Sequence, residues 1–264
     1  MTDAYVETTI LADILLKPKS SKQERALAAL YRYERTMLPV YSIKEWKAGP
    51  LDYFAYFHDK LVETKSLQKT YRAVAALARG NRKDTAMEAI AAAASVRQSR
   101  GLTGLAGGDD RDQADFYRLN IMQLIIRSWR KRRKVTTQVV DELPCYVESE
   151  PRIGKGGYFD LHPQKCDPDQ ECCLAPLLKA QPQRLQALRE SISKTSTRKE
   201  DIKRRQALKS LIKHPGEKVD RETCRHLGDA VFAFFCPEGA VVLTTNLRDH
   251  QPLAAAVGRS AEKP

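Results

Sequence analysis

No stretch of this 264-residue chain is apolar for long enough to span a bilayer. The run Ile10–Leu16 is broken by Asp13 and has no basic segment before it, so no targeting segment is expected. A cytoplasmic location without a membrane partner follows as the expectation. Cysteine is missing from the first half of the chain; the six, at 145, 166, 172, 173, 224 and 236, all lie in the second. Without a secretory signal they should be reduced thiols, which excludes a disulfide framework. No internal repeat or long low-complexity tract is visible. Acidic side chains are the scarcer charge, 33 against 45 lysines and arginines, leaving a formal charge of +12. That excess favours a polyanionic partner, nucleic acid before membrane. What is present describes a soluble globular protein: 42% hydrophobic residues, a mean hydropathy of −0.50, and length for one large domain or two small ones.

The N-terminal sixty residues read as α/β. Ala4 to Thr8 is a short strand that runs into a helix at Ile10–Leu16. Ser20 or Ser21 can cap the next helix, where residues 24–35 place Ala26, Leu27, Leu30 and Tyr31 on one face. Leu38 to Ile43 is a second strand, followed at once by Glu45 and Trp46. This succession implies parallel strands with helical crossovers. From about 50 to 133 the pattern is helical, with one segment ending at Gly80, another capped by Asp84, and a stripe of Phe116, Leu119, Met122, Ile125, Ile126 and Trp129. Residues 134–175 are irregular, with a strand expected at Val135–Val140, and 182–213 return to helix. After Pro215-Gly216 come a short helix, a second helix from Asp229, a turn at 237–239 and a strand of five or six residues. The expectation is an α/β parallel-sheet core built from residues 1–60 and 215–264, with a large, mainly helical and basic insertion at 61–214.

Four acids share a context in this reading. Glu7 ends the first strand, Glu45 lies just past the second at a helix start, Asp229 opens the helix before the last strand, and Asp249 follows that strand with Asn246 beside it. The C-terminal ends of parallel strands point one way, so these groups can meet in one crevice. Converging carboxylates repel, and a hard cation such as Mg²⁺ or Mn²⁺ relieves them while bridging to phosphate oxygens. The chemistry this serves is metal-assisted hydrolysis of a phosphodiester. Three of the acids also have a plainer role: Asp229 as a helix cap, Asp249 in a turn, Glu45 on a solvated face.

The segments around these acids resemble one family. "YVETTILADILL" looks like the opening strand and helix of PIN-domain nucleases. "VYSIKEWKAG" resembles their second motif, "LGDAVFAFF" their third, and "VVLTTNLRDHQPLAAAVG" their closing one. Two departures stand out: Glu7 replaces the usual Asp and Thr9 the common Asn, and the gap between the second and third motifs is long. The resemblance covers roughly 1–60 and 215–260. It implies a PIN-like fold and a Mg²⁺- or Mn²⁺-dependent endonuclease, RNA preferred, of toxin, RNA-processing or defence type. Metal would be held by Glu7, Glu45, Asp229 and Asp249 with Asn246 assisting, and an antitoxin-like or regulatory protein is a further expected partner. The rivals are a DNA nuclease, and a nucleic-acid-binding or regulatory protein on the same scaffold without turnover.

"RSWRKRRK" at 127–134 holds six cations and a tryptophan. Arg127, Arg130, Lys131, Arg132, Arg133 and Lys134 suit phosphate tracking with Trp129 for base stacking, or simply complement a helix dipole. In "RKEDIKRRQALKSLIK", Glu200 and Asp201 can pair with Arg204 and Arg205 on a solvated face. Cys145, His162, Cys166 and Cys172, with Cys173 adjacent, could hold structural zinc in an irregular segment. The spacing lacks a C-x-x-C knuckle, and reduced structural thiols are the preferred reading. Cys224 and Cys236 look like core residues.

Overall fold

A computed structural model of the chain describes residues 2–77, 87–91, 109–141, 146, 148–161, 174–214, 219 and 221–264. Strand β1 (Asp3–Val6) leads directly into α1 (Thr8–Leu16), which is buried at every position except Thr9. After α2 (Ser21–Leu30), capped by the Ser20 hydroxyl on the Gln23 amide at 3.1 Å, come β2 (Thr36–Pro39) and α3 (Val40–Trp46). The second strand thus ends four residues earlier than the sequence suggests. Pro39 has no N–H for a further ladder bond, and Val40, Ile43 and Trp46 recur at the spacing of a helix face. A π-helical turn, Lys47–Leu51, precedes α4 (Asp52–Thr64) and α5 (Leu67–Ala75). Lys65 in the left-handed region breaks what reads as one helix into two. Tyr31, expected on a buried face, follows the end of α2 and is 87% exposed.

Helix α6 (Asp110–Lys131) buries Ala114, Tyr117, Asn120, Ile121, Ile125, Ser128 and Trp129; of the expected stripe Ile125 and Trp129 are buried, Phe116, Met122 and Ile126 half-buried, and Leu119 exposed. Small and polar positions allow the closer approach: Ser128 Oγ reaches the Leu15 carbonyl at 2.7 Å. Beyond α6 lie β3 (Gln138–Val140), shorter than expected, and the hairpin β4 (Arg152–Ile153) and β5 (Phe159–Asp160). Then follow α7 (Leu174–Lys179), α8 (Pro182–Ser191), α9 (Lys199–Lys213), α10 (Arg221–Leu227) and α11 (Asp229–Phe235). Strand β6 (Ala240–Leu243), α12 (Leu247–Ala256) and a short β7 (Ser260–Glu262), which the sequence does not signal, complete the chain.

The sheet runs β3-β2-β1-β6-β7, with every pairing parallel. Residues of β2 and β6 are buried throughout, as a parallel sheet covered on both faces requires. Helices gather in two sets. In one, α1 packs on α2, α3 and α6, and α4 on α5 and α6; in the other, α12 packs on α8 and α11, and α9 on α8 and α10. The stretch between the two chain ends therefore enters the sheet through β3 and packs on both ends through its helices. Cys224 and Cys236 are buried in the core and form no disulfide. Among the described residues no helix is long and apolar enough to cross a membrane.

Candidate functional site

β1 and β6 lie side by side at the centre of the sheet, Val6 beside Leu243, although 237 positions separate them. Strand order reverses between these two, and in open α/β sheets ligands bind beyond the carboxyl ends of the strands at such a point. Glu7 leaves β1 here, its amide bonded to the Leu243 carbonyl at 3.0 Å. Its side chain caps α1. Oε2 accepts the Thr9 amide at 3.0 Å, the Thr9 hydroxyl, and the Thr244 hydroxyl at 3.1 Å. Thr9 Oγ1 in turn accepts the Thr245 amide at 3.2 Å, so the turns after β1 and β6 are tied together. Glu45 is on the last turn of α3, not at a helix start, and takes the Thr8 hydroxyl at 2.9 Å.

Asp229 is the first residue of α11. Gly228, at φ +34°, makes the abrupt turn out of α10, a conformation that a side chain would strain. Asp229 Oδ1 lies 3.4 Å from His250 Nε2, and Oδ2 accepts from the Arg204 guanidinium. Asp249 sits in the first turn of α12; Arg198 donates to Oδ1 at 2.6 Å and Asn246 Nδ2 to Oδ2 at 2.8 Å. The structure thus brings Glu7, Glu45 and Asp229 within electrostatic reach of one another, and Asp249 within reach of Asp229. Asn246 is there as the partner of Asp249.

The charges divide unevenly. Burial, with the neighbouring charges of Asp229 and Glu7, pushes Glu45 from its ordinary 4.5 to about 8. Burial also raises Glu7, against the pull of His250 and the Thr9 hydrogen bond. Burial works the same way on Asp229, but His250 and Arg204 outweigh it and hold that carboxyl below its ordinary value. Asp249 is likewise held low, Arg198 and Asn246 overcoming burial. His250 is 1% exposed; burial opposes its charge, yet Asp229, Glu7 and Glu45 keep it raised. At neutral pH the group therefore holds two ionised aspartates, a protonated Glu45 and a buried imidazole biased toward its cation.

Three contributors escaped sequence reasoning: His250, Arg198 and Arg204. His250 directly follows Asp249, so position could have flagged it. The two arginines lie on a segment that reads as a solvated face. Arg204 does approach Asp201, at 3.8 Å, but it turns inward to Asp229, while Arg205 bonds the Ser193 carbonyl at 2.7 Å. As oriented, no three carboxylate, imidazole or thiol groups among the described residues converge on one point as ion ligands. The donor set is nonetheless hard oxygen, the type that Mg²⁺ and Mn²⁺ take, and counter-charge comes from guanidinium and imidazole.

The basic run at 127–134 is largely woven into the fold. Trp129 is 3% exposed and stacks on Trp46 at 6.1 Å between ring centroids, so it is not open to a base. Arg132 also lies over the Trp129 ring, 3.6 Å from its centroid. Arg132 and Arg133 share Glu148, and Arg130 pairs with Glu150 at 3.1 Å. Arg127, Lys131 and Lys134 are the exposed cations left without an ion pair among the described residues. The run leads into the start of β3, which is parallel to β2, so it lies toward the N-terminal edge of the sheet, opposite the acids. Cys145, His162, Cys166, Cys172 and Cys173 lie outside the described residues, as do Gly80 and Asp84.

Comparison of the chain with protein-family models, with curated proteins and with solved structures finds no match in any of the three.

Proposed function

We propose that this chain is a metal-dependent nuclease hydrolysing phosphodiester bonds, with RNA preferred over DNA. One observation carries the reading: Glu7, Glu45 and Asp229, from segments far apart in sequence, form one mutually repelling group beyond the carboxyl ends of β1 and β6. A carboxyl held protonated at neutral pH by burial and by its acidic neighbours is what such a group shows without a shared cation. The arrangement of the four PIN-like segments supports the reading too. "YVETT" and "VVLTTN" are adjacent central strands with the turns that follow them, and α3 and α11 bring the other two motifs to the same edge.

Glu7, Glu45 and Asp229 would hold Mg²⁺ or Mn²⁺, with Asp249 and Asn246 at the margin. The bound ion would supply a Lewis acid for the phosphate and a more acidic water. The chain's own residues have definite tasks. Thr9 and Thr244 fix Oε2 of Glu7, and Thr8 fixes Glu45. The buried His250 orients Asp229. Arg198 and Arg204, which pair with Asp249 and Asp229, are the guanidinium groups at the site that could also meet phosphate oxygens.

A second reading has its own support: a nucleic-acid-binding or regulatory protein without turnover. Arg198 and Arg204 already neutralise Asp249 and Asp229, which a site permanently without metal would also need. Cleavage of labelled RNA and single-stranded DNA in Mn²⁺, by wild type and Glu45→Gln, decides between them. The nuclease reading requires activity that Mn²⁺ switches on and Glu45→Gln removes.

A further inference from the structure

On the outer side of Thr9 and Thr245 a cleft of about 550 Å³ opens between α1, α2, the π-helical turn and the start of α4. It shares a wall with the carboxylate group. Thr9 presents its hydroxyl to Glu7 and accepts from the Thr245 amide, and both threonines also line the cleft. A chain with one phosphate at the carboxylates can therefore lay its neighbouring unit in the cleft.

The lining has the chemistry of a nucleotide. Lys17, Lys22, Arg25 and Lys263 bring four cations against the carboxylates of Asp13 and Glu88. Lys17 and Lys22 share Glu88, at 3.0 and 3.1 Å, and Lys17 also holds Asp13 at 2.6 Å. Arg25 and Lys263 are exposed and have no ion pair among the described residues. Tyr53 lines the same space half-buried, its ring and hydroxyl without a partner among the described residues, in a protein where most buried aromatics are paired. A tyrosine face beside cations is the usual platform for an unpaired base and its backbone. The volume lies in the range of pockets for small organic ligands, suited to about one nucleotide and far too small for a duplex.

We infer that this cleft is a binding subsite for single-stranded nucleic acid. It seats the nucleotide next to the scissile phosphate, with the base on Tyr53 and the backbone along Arg25, Lys22 and Lys263. The inference deepens the proposed function and relies on it for the word scissile, but binding is separable from cleavage.

The probe is a short fluorescein-labelled single-stranded RNA of mixed sequence, followed by anisotropy in EDTA. Tyr53→Leu should weaken binding about fivefold or more, the loss expected for one stacked base, while Tyr53→Phe keeps wild-type affinity. Lys22→Gln with Arg25→Gln should flatten the salt dependence. The same sequence as a duplex should compete poorly. Equal affinity of wild type and Tyr53→Leu overturns the inference, and so does the absence of any binding by wild type. If the RNA binds through Tyr53 but is not cut in Mn²⁺, the subsite stands and the nuclease reading falls. If the RNA is cut with the same KM by wild type and Tyr53→Leu, the subsite falls and the nuclease reading stands.

Discussion

Replacing Arg204 with methionine keeps the apolar stem and removes the guanidinium that holds Asp229. The Arg204 side chain is 8% exposed and that of Asp229 24%, so the pair lies between a surface and a buried ion pair. Surface pairs contribute about 0–1 kcal/mol, and breaking a buried one costs about 3–5. Roughly 2 kcal/mol is the fitting figure here, because Asp229 keeps His250 as a partner. For a chain of this size that lowers Tm by about 4–8 °C in EDTA. Mn²⁺ should narrow the difference. In wild type an incoming ion must displace the guanidinium, and each 1.4 kcal/mol of that competition weakens its binding about tenfold. Arg204→Met should thus bind Mn²⁺ about tenfold or more tightly, and Mn²⁺ at a hundred times Kd should return about 2.7 kcal/mol of stability. Calorimetric titration and thermal melts at several Mn²⁺ concentrations measure both. Mn²⁺ affinity unchanged or weakened in Arg204→Met would refute the idea that the arginine occupies the ion's electrostatic role.

Glu45 gives a pH dependence of definite sign. Its folded value of about 8 lies above its ordinary 4.5, so the folded state holds a proton that the unfolded chain releases. Metal-free stability should therefore fall as pH rises from roughly 5 to 8 and level off above. Mn²⁺ binding should tighten over the same window because the ion must displace that proton, and Glu45→Gln should flatten the stability profile. Glu7→Asp shortens a side chain whose Oε2 spans Thr9 and Thr244, so Mn²⁺ affinity should drop although the charge is kept; equal affinity in wild type and Glu7→Ala would remove Glu7 from the site. In the basic run, Arg132→Ala should destabilise by about 1–2 kcal/mol through loss of Glu148 and the Trp129 face, whereas neutralising Arg127, Lys131 and Lys134 should leave Tm unchanged. Melts of the two variants, with the salt slope of RNA binding, separate structural cations from exposed ones.

Except for β7, the order of strands and helices at the two chain ends was legible because apolar runs, caps and turns there agree with one another. The four acids were legible as candidates for one group, and Glu7, Glu45 and Asp229 do lie within reach of one another, but Glu45 gets there from the last turn of α3 and not from a strand end. What sequence could not supply came from long-range packing. Arg204 reads as one more cation on an exposed helix, and only the packing of α9 on α10 turns it toward Asp229. Trp129 among six cations reads as a base-stacking residue, yet Trp46 lies 83 positions away and covers it. In α6 the buried face runs through Ala114, Asn120 and Ser128, which a search for large apolar residues passes over. The cleft beside Thr9 joins segments from both ends of the chain and from between them, and has no signature in any one of them.

The central claim, that Glu7, Glu45 and Asp229 form a metal site that cleaves nucleic acid, is tested most directly by Mn²⁺-dependent cleavage of labelled RNA by wild type and Asp229→Asn. Asp229→Asn removes a charged ligand with almost no change in volume. The account predicts that wild type cuts in Mn²⁺ and not in EDTA, and that folded Asp229→Asn does not cut. Full activity in Asp229→Asn, or a folded wild type inert toward both RNA and single-stranded DNA in Mn²⁺, would contradict it.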